Sequence, residues 1–524
     1  MKIFGSVGFI VLGFSGYLNA QTIEEGKKAI ENDQLGKAKQ IFSSLLSSGE
    51  VNGPSAYYQL GNAYLLSGSV DSASMTLNKA ASLFPKNAFI KVGLGKIELN
   101  KNNAPAAKIL FDEAAKLGGS KNAPIFLAIG DAYLNNKYPD VSKAKEFISK
   151  SIAIDAKNAD GYMLLGDAFL MENNGGESVT NYEIAAEKNP TSAKAFQHVG
   201  VVYTQARNYK TAMEAFEKAL AIDANHPASL RDYADLQFKF RRYDKAKDNY
   251  EKYLSLTGNN SYETLTKYAY ILHMAKDYEK EIEIINKLMA IDSSNVLLHR
   301  LLAYSSYEKN NYPEGLKQIE IFFEKSDPTK IIPLDYEYWG KLLSKSGNDS
   351  LGLMKLEQSY QLDTTNKELL ADMGDIYMKK KNYEMAATLY KNKLASQEIP
   401  TAIDYFNFGK ASYFGKSYVE ADSAFSKVIS LKPTSGVGYF WRGRTNLNIK
   451  EDNMEVAIPF YQKYLEIMSA DPKAVKRELV EANKQLGIYY IKKDDNVKAK
   501  EYLQKVLELE PTDKDALDIM SQIK

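Results

Sequence analysis

The sequence predicts an all-α solenoid of helix–turn–helix units, and three observations predict it. One template of small and bulky residues recurs along almost the whole chain with a spacing of 34 to 37 residues, stretched to 44 only before the last unit. Within each unit two small residues stand twelve apart and a bulky residue follows the second by four, the spacing of one helix face. The composition suits a packed chain: 44% of 524 residues are hydrophobic and 25% charged, which is not the signature of disorder.

Taken in order, residues 1–20 read as an export signal. Lys2 supplies a single charge, residues 3–18 are uncharged and rich in Ile, Val, Phe, Leu and Gly, and Ala20 is a small residue before Gln21. That apolar run is shorter than the ~20 residues a membrane-spanning helix needs. No later stretch approaches that length, so residues 21 onward are expected to carry no integral membrane span.

The units begin near residues 19, 54, 88, 123, 159, 193, 227, 262, 296, 333, 367, 402, 436 and 480. Leu60-Gly61, Tyr64, Ala73, Leu77, Ala80 sets the template, and Val199-Gly200, Tyr203, Ala212, Phe216, Ala219 repeats it. The first small position is Gly or Ala in all fourteen units and Gly in eleven, including Gly26, Gly95, Gly166, Gly374 and Gly487. The second is small everywhere except at Glu281. Two helices that approach closely need small residues there, and bulky ones beside the contact. Pro85, Pro190, Pro433 and Pro511 follow the ends of second helices, where proline stops a helix. An aromatic such as Tyr209, Tyr383 or Tyr418 is expected to plug each elbow.

This pattern resembles the tetratricopeptide repeat (TPR), a 34-residue helix–turn–helix unit. The resemblance covers residues 21 to the end. It implies a right-handed superhelical solenoid of about 14 repeats. Residues 512–524 form a C-terminal capping helix, with Thr512 and Asp515 as its capping box and Ala516, Leu517, Met520 and Ile523 as its apolar face. Residues 326–333 carry two prolines and are the candidate joint between residues 21–332, holding repeats 1–9, and residues 333–524, holding repeats 10–14 and the cap. Extra residues at 138–140 and 451–453 fall in turns inside a repeat, where insertion costs least.

The chemistry that the residues exclude is extensive. There are no cysteines, so no disulfide, thiolate metal site or cysteine nucleophile. The four histidines, His198, His226, His273 and His299, form no metal-ligand spacing. Gly93-Leu94-Gly95-Lys96 falls inside a first helix rather than after a strand, so it is not a phosphate loop. A net charge of +1 argues against nucleic acid as partner. No catalytic set, cofactor or metal site is expected, and the chain reads as non-enzymatic.

By its resemblance, the first helices line a concave wall, with positions two, five, nine, twelve and thirteen of each repeat facing inward. Carried over residue by residue, the candidate groove comprises Tyr270, Arg300, Tyr304, Tyr307, Phe406, Tyr413, Phe440 and Arg444, with His273, Glu337, Lys341, Lys410 and Leu447 beside them. Aromatics and arginine dominate protein-binding hot spots. The expected partner is a protein or extended peptide met in the periplasm or at the cell surface, in association with outer-membrane or envelope complexes. Glycan or peptidoglycan stacked on the rings is the alternative. Neighbouring repeats lack the Lys/Asn set with which co-chaperone members clamp a C-terminal carboxylate, so a chaperone tail is not expected.

Overall fold

The computed structural model describes residues 22–47, 53–450 and 453–523. The export signal expected at residues 1–20 lies outside them. Among the described residues there are 29 α-helices, one short 3-10 turn and no strand. The first 28 helices pair in sequence as fourteen repeats, and the last stands alone. The all-α solenoid is therefore what the sequence spacing implied.

Most turns inside a repeat use the same device. The residue fifteen into the repeat adopts the left-handed conformation, as at Asn102, Asn173, Arg207 and Lys381, with φ of 58–61°. The next residue, Asn103, Asn174, Asn208 or Asn382, caps the second helix by accepting a backbone N–H three residues on. Ten of these left-handed positions are not glycine, so those turns hold a conformation that costs an L-residue of order 1 kcal/mol.

The glycine rule has a specific cause. A methyl group built on Gly200 would sit 2.6 Å from the ring of Phe216, on Gly166 2.4 Å from Tyr182, and on Gly374 2.8 Å from Tyr390. The ring sixteen residues downstream occupies the glycine's side-chain space, and it is fully buried in Phe216 and Tyr182. Burying such a ring contributes roughly 1.5–3 kcal/mol. In repeat 10 the helices touch backbone to backbone, a methyl on Gly340 meeting the Gly352 carbonyl at 2.8 Å.

Glu281, the exception among small positions, is fully buried on the second helix of repeat 8 (Tyr278–Ile291). His273 Nδ1 lies 3.1 Å from its Oε1, on the first helix of the same repeat (Tyr262–Met274). A polar partner thus replaces close packing. Of the elbow aromatics, Tyr418 stays at its own elbow, edge-on to Tyr413 at 5.6 Å, whereas two others reach a neighbour. Tyr209 packs edge-on against Phe240 of the next repeat at 5.1 Å, and Tyr383 stacks on Phe414 at 5.4 Å.

The final helix is Lys514–Gln522. Its cap is Asp513, which accepts the Ala516 N–H at 2.8 Å, not Thr512. Ala516 is buried against Val480, Leu503 and Val506, whereas Leu517 points outward, 47% exposed. The chain forms two compact units, one ending at Ile284 and the other starting at Ile285. No described helix is long and apolar enough to cross a membrane.

Candidate protein-binding groove

The first helices carry the residues that the register turns inward, and their charges are mostly spent on one another. Lys96 Nζ meets Asp131 Oδ2 at 2.8 Å, Gln197 donates to Asp232 at 2.6 Å, and Lys267 meets Asp235 at 2.5 Å. Each rung joins one repeat to the next. Asp131 stays well charged: burial alone would raise its pKa, but the Lys96 ammonium outweighs that and holds it below the usual range. In the second unit the rungs continue with Arg300–Asp335, Lys341–Asp372 at 3.1 Å and Arg444–Glu481 at 3.2 Å.

Arg300, Tyr304 and Tyr307, on the first helix of repeat 9 (Val296–Glu308), form one side of a packed cluster. Arg300 grips Asp335 with two bonds, Nε to Oδ1 at 2.7 Å and Nη2 to Oδ2 at 2.8 Å, and donates to the Lys330 carbonyl at 2.6 Å. Tyr304 donates to the same Asp335 at 2.6 Å and stacks on Tyr338, ring centres 4.0 Å apart. Asp335 is fully buried and Tyr304 is 3% exposed. Tyr304 is thus a core residue rather than a groove contact, and Arg300 fastens the connector at residues 326–333, which contains the 3-10 turn Pro328–Lys330. Removing these side chains would therefore disturb the fold itself. Tyr307 is half-buried and edges a cavity of about 350 Å3 with Lys341, Lys345, Asp372 and Lys379.

Repeats 12 to 14 bring Phe406, Tyr413 and Arg444 together and draw Phe440 inside. Phe406 and Tyr413 lie half-buried on Ala402–Phe414, and Phe440 and Arg444 on Gly436–Ile449. Phe440 is 1% exposed and packs on Tyr461 and Tyr464, so it too belongs to the core. The hub is Trp441, with Tyr413 at 5.4 Å, Phe425 at 5.7 Å and Phe406 at 6.2 Å. Two cations cover these rings. Arg444 lies 5.3 Å from the Trp441 centroid and is paired with Glu481. Lys410 lies 5.6 Å from Phe406 and 5.8 Å from Trp441, with no described carboxylate within ion-pair distance. Beside them, burial pushes the Glu478 carboxyl above its usual range.

Sequence reasoning missed Trp441 as the hub, because it stands one position after an inward-facing register. Its signal was that it is one of only two tryptophans. Tyr270 belongs to the other unit, 39% exposed on the first helix of repeat 8. No group of three or more His, Cys, Asp or Glu that could hold a metal ion occurs among the described residues.

Comparison with known proteins agrees with this architecture. Tetratricopeptide repeat family models match residues 54–87, 163–227, 203–265 and 480–513. The crystal structure of the C-terminal part of a TPR repeat-containing protein from Cytophaga hutchinsonii is 33% identical, covering 48% of this chain and 98% of that one with a TM-score of 0.44. The chain belongs to the tetratricopeptide repeat family, whose members typically mediate protein–protein interactions. The type IV pilus assembly protein PilF of Pseudomonas aeruginosa is 27% identical over 179 residues, 34% of this chain and 69% of that protein. A TPR repeat-containing protein of Methanocaldococcus jannaschii is 23% identical over 334 residues, 60% of this chain and 57% of that one.

Proposed function

We propose that this chain is a non-enzymatic scaffold, exported to the bacterial cell envelope, that binds a protein or extended peptide on the concave wall of its first helices. The observation that carries this reading is the patch of Phe406, Lys410 and Tyr413. Elsewhere on the first helices cations and carboxylates pair between repeats, whereas Lys410 is a half-buried ammonium beside half-buried rings with no described carboxylate within ion-pair distance, Glu478 acting on it only from further away. Such a site suits a partner segment that sets an acidic side chain beside an apolar one: the ammonium takes the charge and the rings take the apolar group. Envelope location rests on the export signal at residues 1–20 and is supported by the likeness to a type IV pilus assembly protein.

The test is capture from envelope fractions of the native host by the purified chain, with bound proteins identified by mass spectrometry. Lys410→Glu combined with Tyr413→Ala should weaken capture of a specific partner at least tenfold while leaving the helical circular dichroism spectrum unchanged. Capture that survives the double substitution sinks the assignment of this patch. Retention on purified peptidoglycan that the same substitutions abolish would move the reading to a glycan-binding accessory.

A further inference from the structure

The first repeat does more than begin the row. Its turn, residues 32–34, reaches repeat 7, some two hundred residues downstream in the same compact unit. Gln34 Nε2 donates to the Leu256 carbonyl near the end of the second helix of repeat 7 (Tyr243–Thr257). Arg231 Nη1, on the first helix of that repeat (Pro227–Lys239), meets Asp33 Oδ2 at 3.4 Å. On the same side Lys28, Glu31 and Asn32 face Asp160, Lys194 and His226, at the starts of three first helices, across a cavity of about 220 Å3. Seven repeats therefore complete a turn, and repeat 1 closes it against the edge formed by inter-repeat loops.

The two attachments of repeat 1 differ in kind. Toward repeat 2 it shares an apolar core: Ala29, Ala38, Ile41, Phe42 and Leu45 bury against Ala56, Leu60 and Ala63. No residue of repeats 5–7 belongs to that core. Toward repeat 7 the contact is polar and incompletely filled. A cavity of about 500 Å3 remains between Ala29 and Ile41 on one side and Pro227 and Leu256 on the other. The Asp33–Arg231 pair is open to water, its side chains 51% and 36% exposed, and such pairs hold weakly and are screened by salt. Because each repeat of a solenoid contacts mainly its neighbours, a small rotation at each of the six joints between repeats 1 and 7 adds up to separation of the ends.

We propose that repeat 1 is a latch: it docks reversibly on the loop edge of repeats 5–7 and gives this unit a closed and an open form without loss of any repeat's own core. Opening breaks the Gln34 and Asp33 contacts and leaves the apolar joint to repeat 2 intact.

The cysteine-free chain makes the test direct. Lys37 and Asn225, exposed on opposite walls of the larger cavity, are changed to Cys in the full chain and carry nitroxide labels. Pulsed dipolar spectroscopy should show a short, narrow distance at low salt. In 1 M NaCl, where the Debye length is about 3 Å, and in Asp33→Ala/Gln34→Ala, a longer and broader population should appear at the expense of the short one. The salt arm needs no substitution at the contact, so it stands even if the double variant folds poorly. Absence of the short distance at low salt overturns the closure. A short distance unmoved by both salt and the double substitution shows a permanent joint and overturns the latch.

Discussion

The Tyr182 hydroxyl donates to Asp167 across 2.7 Å, from the second helix of repeat 5 back to its first. The same bond, at the same separation of fifteen residues, joins Tyr390 to Asp375 in repeat 11. The ring fills the space left by Gly166 or Gly374, and the hydroxyl continues through to an acceptor on the first helix. Phe216 and Phe425 hold the equivalent position in other repeats, so the ring alone suffices for packing.

Tyr182→Phe should therefore cost the hydrogen bond and little else. A bond to a charged acceptor contributes ~1.5–3 kcal/mol, but Asp167 keeps His198 Nδ1 at 3.0 Å, so the lower end is expected. Urea unfolding should show the loss with circular dichroism unchanged. A neutral substitution would mean that Asp167 is already satisfied without the phenol.

Gly374→Leu tests the packing rule directly. Even a methyl would stand 2.8 Å from the Tyr390 ring, so the larger side chain must displace that ring. Overpacking of this kind costs ~1–3 kcal/mol. The melting temperature should fall, and an unchanged value would place the ring elsewhere.

His226 predicts a pH effect. It caps the first helix of repeat 7: its Nδ1 accepts the Ser229 N–H at 3.3 Å, which requires a neutral ring. Burial lowers its pKa below the ordinary 6.5, with His198 and Lys194 pushing the same way and Asp223 and Asp232 opposing. Just below pH 6.5 the unfolded chain binds a proton that the folded chain refuses. Stability contributed by this cap is thus complete above 6.5 and is lost as pH falls below it. His226→Asn keeps a capping acceptor that does not titrate. Its melting temperature should drop less than that of the natural chain between pH 7.5 and 5.5. Parallel curves would refute the assignment.

Arg300→Ala should be severe. It leaves the fully buried Asp335 without its cation, and removing one partner of a buried pair costs ~3–5 kcal/mol. Arg300→Ala with Asp335→Asn should recover part of that loss, since the neutral amide can still accept from Tyr304. Equal destabilisation by the single and double changes would show that packing of the guanidinium on Phe322, 4.5 Å away, matters more than charge.

The helix pairs and their count were legible because a small residue recurring in register leaves a mark that composition cannot blur. The partner of each small residue was less so. Gly200 and Ala212 read as facing each other, whereas the Gly200 space is filled by Phe216, four residues beyond Ala212. The left-handed turn residue was invisible because Arg207, Lys381 and Lys416 take the place that glycine would advertise. In the groove, register identified which residues lie on first helices but not how far each ring sinks. Tyr304 and Phe440 are drawn inward by Asp335 and by Tyr464, residues 31 and 24 positions away that no local pattern connects. Register put Phe406, Lys410 and Tyr413 on one first helix, but that Lys410 lies over the Phe406 and Trp441 rings without a close ion pair comes from packing with the next repeat.

The ion pairs between neighbouring repeats also decide where this chain can be cut. A fragment beginning at Pro333 would keep Asp335 and lose Arg300, and one beginning at Ala402 would keep Asp404 and lose Lys393, whose ammonium sits 2.9 Å from it. Modularity in sequence is therefore not modularity in charge. A repeat excised at its natural boundary carries away half of a bond that was made to be shared, and the smallest self-sufficient piece is set by where rungs end rather than by where repeats begin.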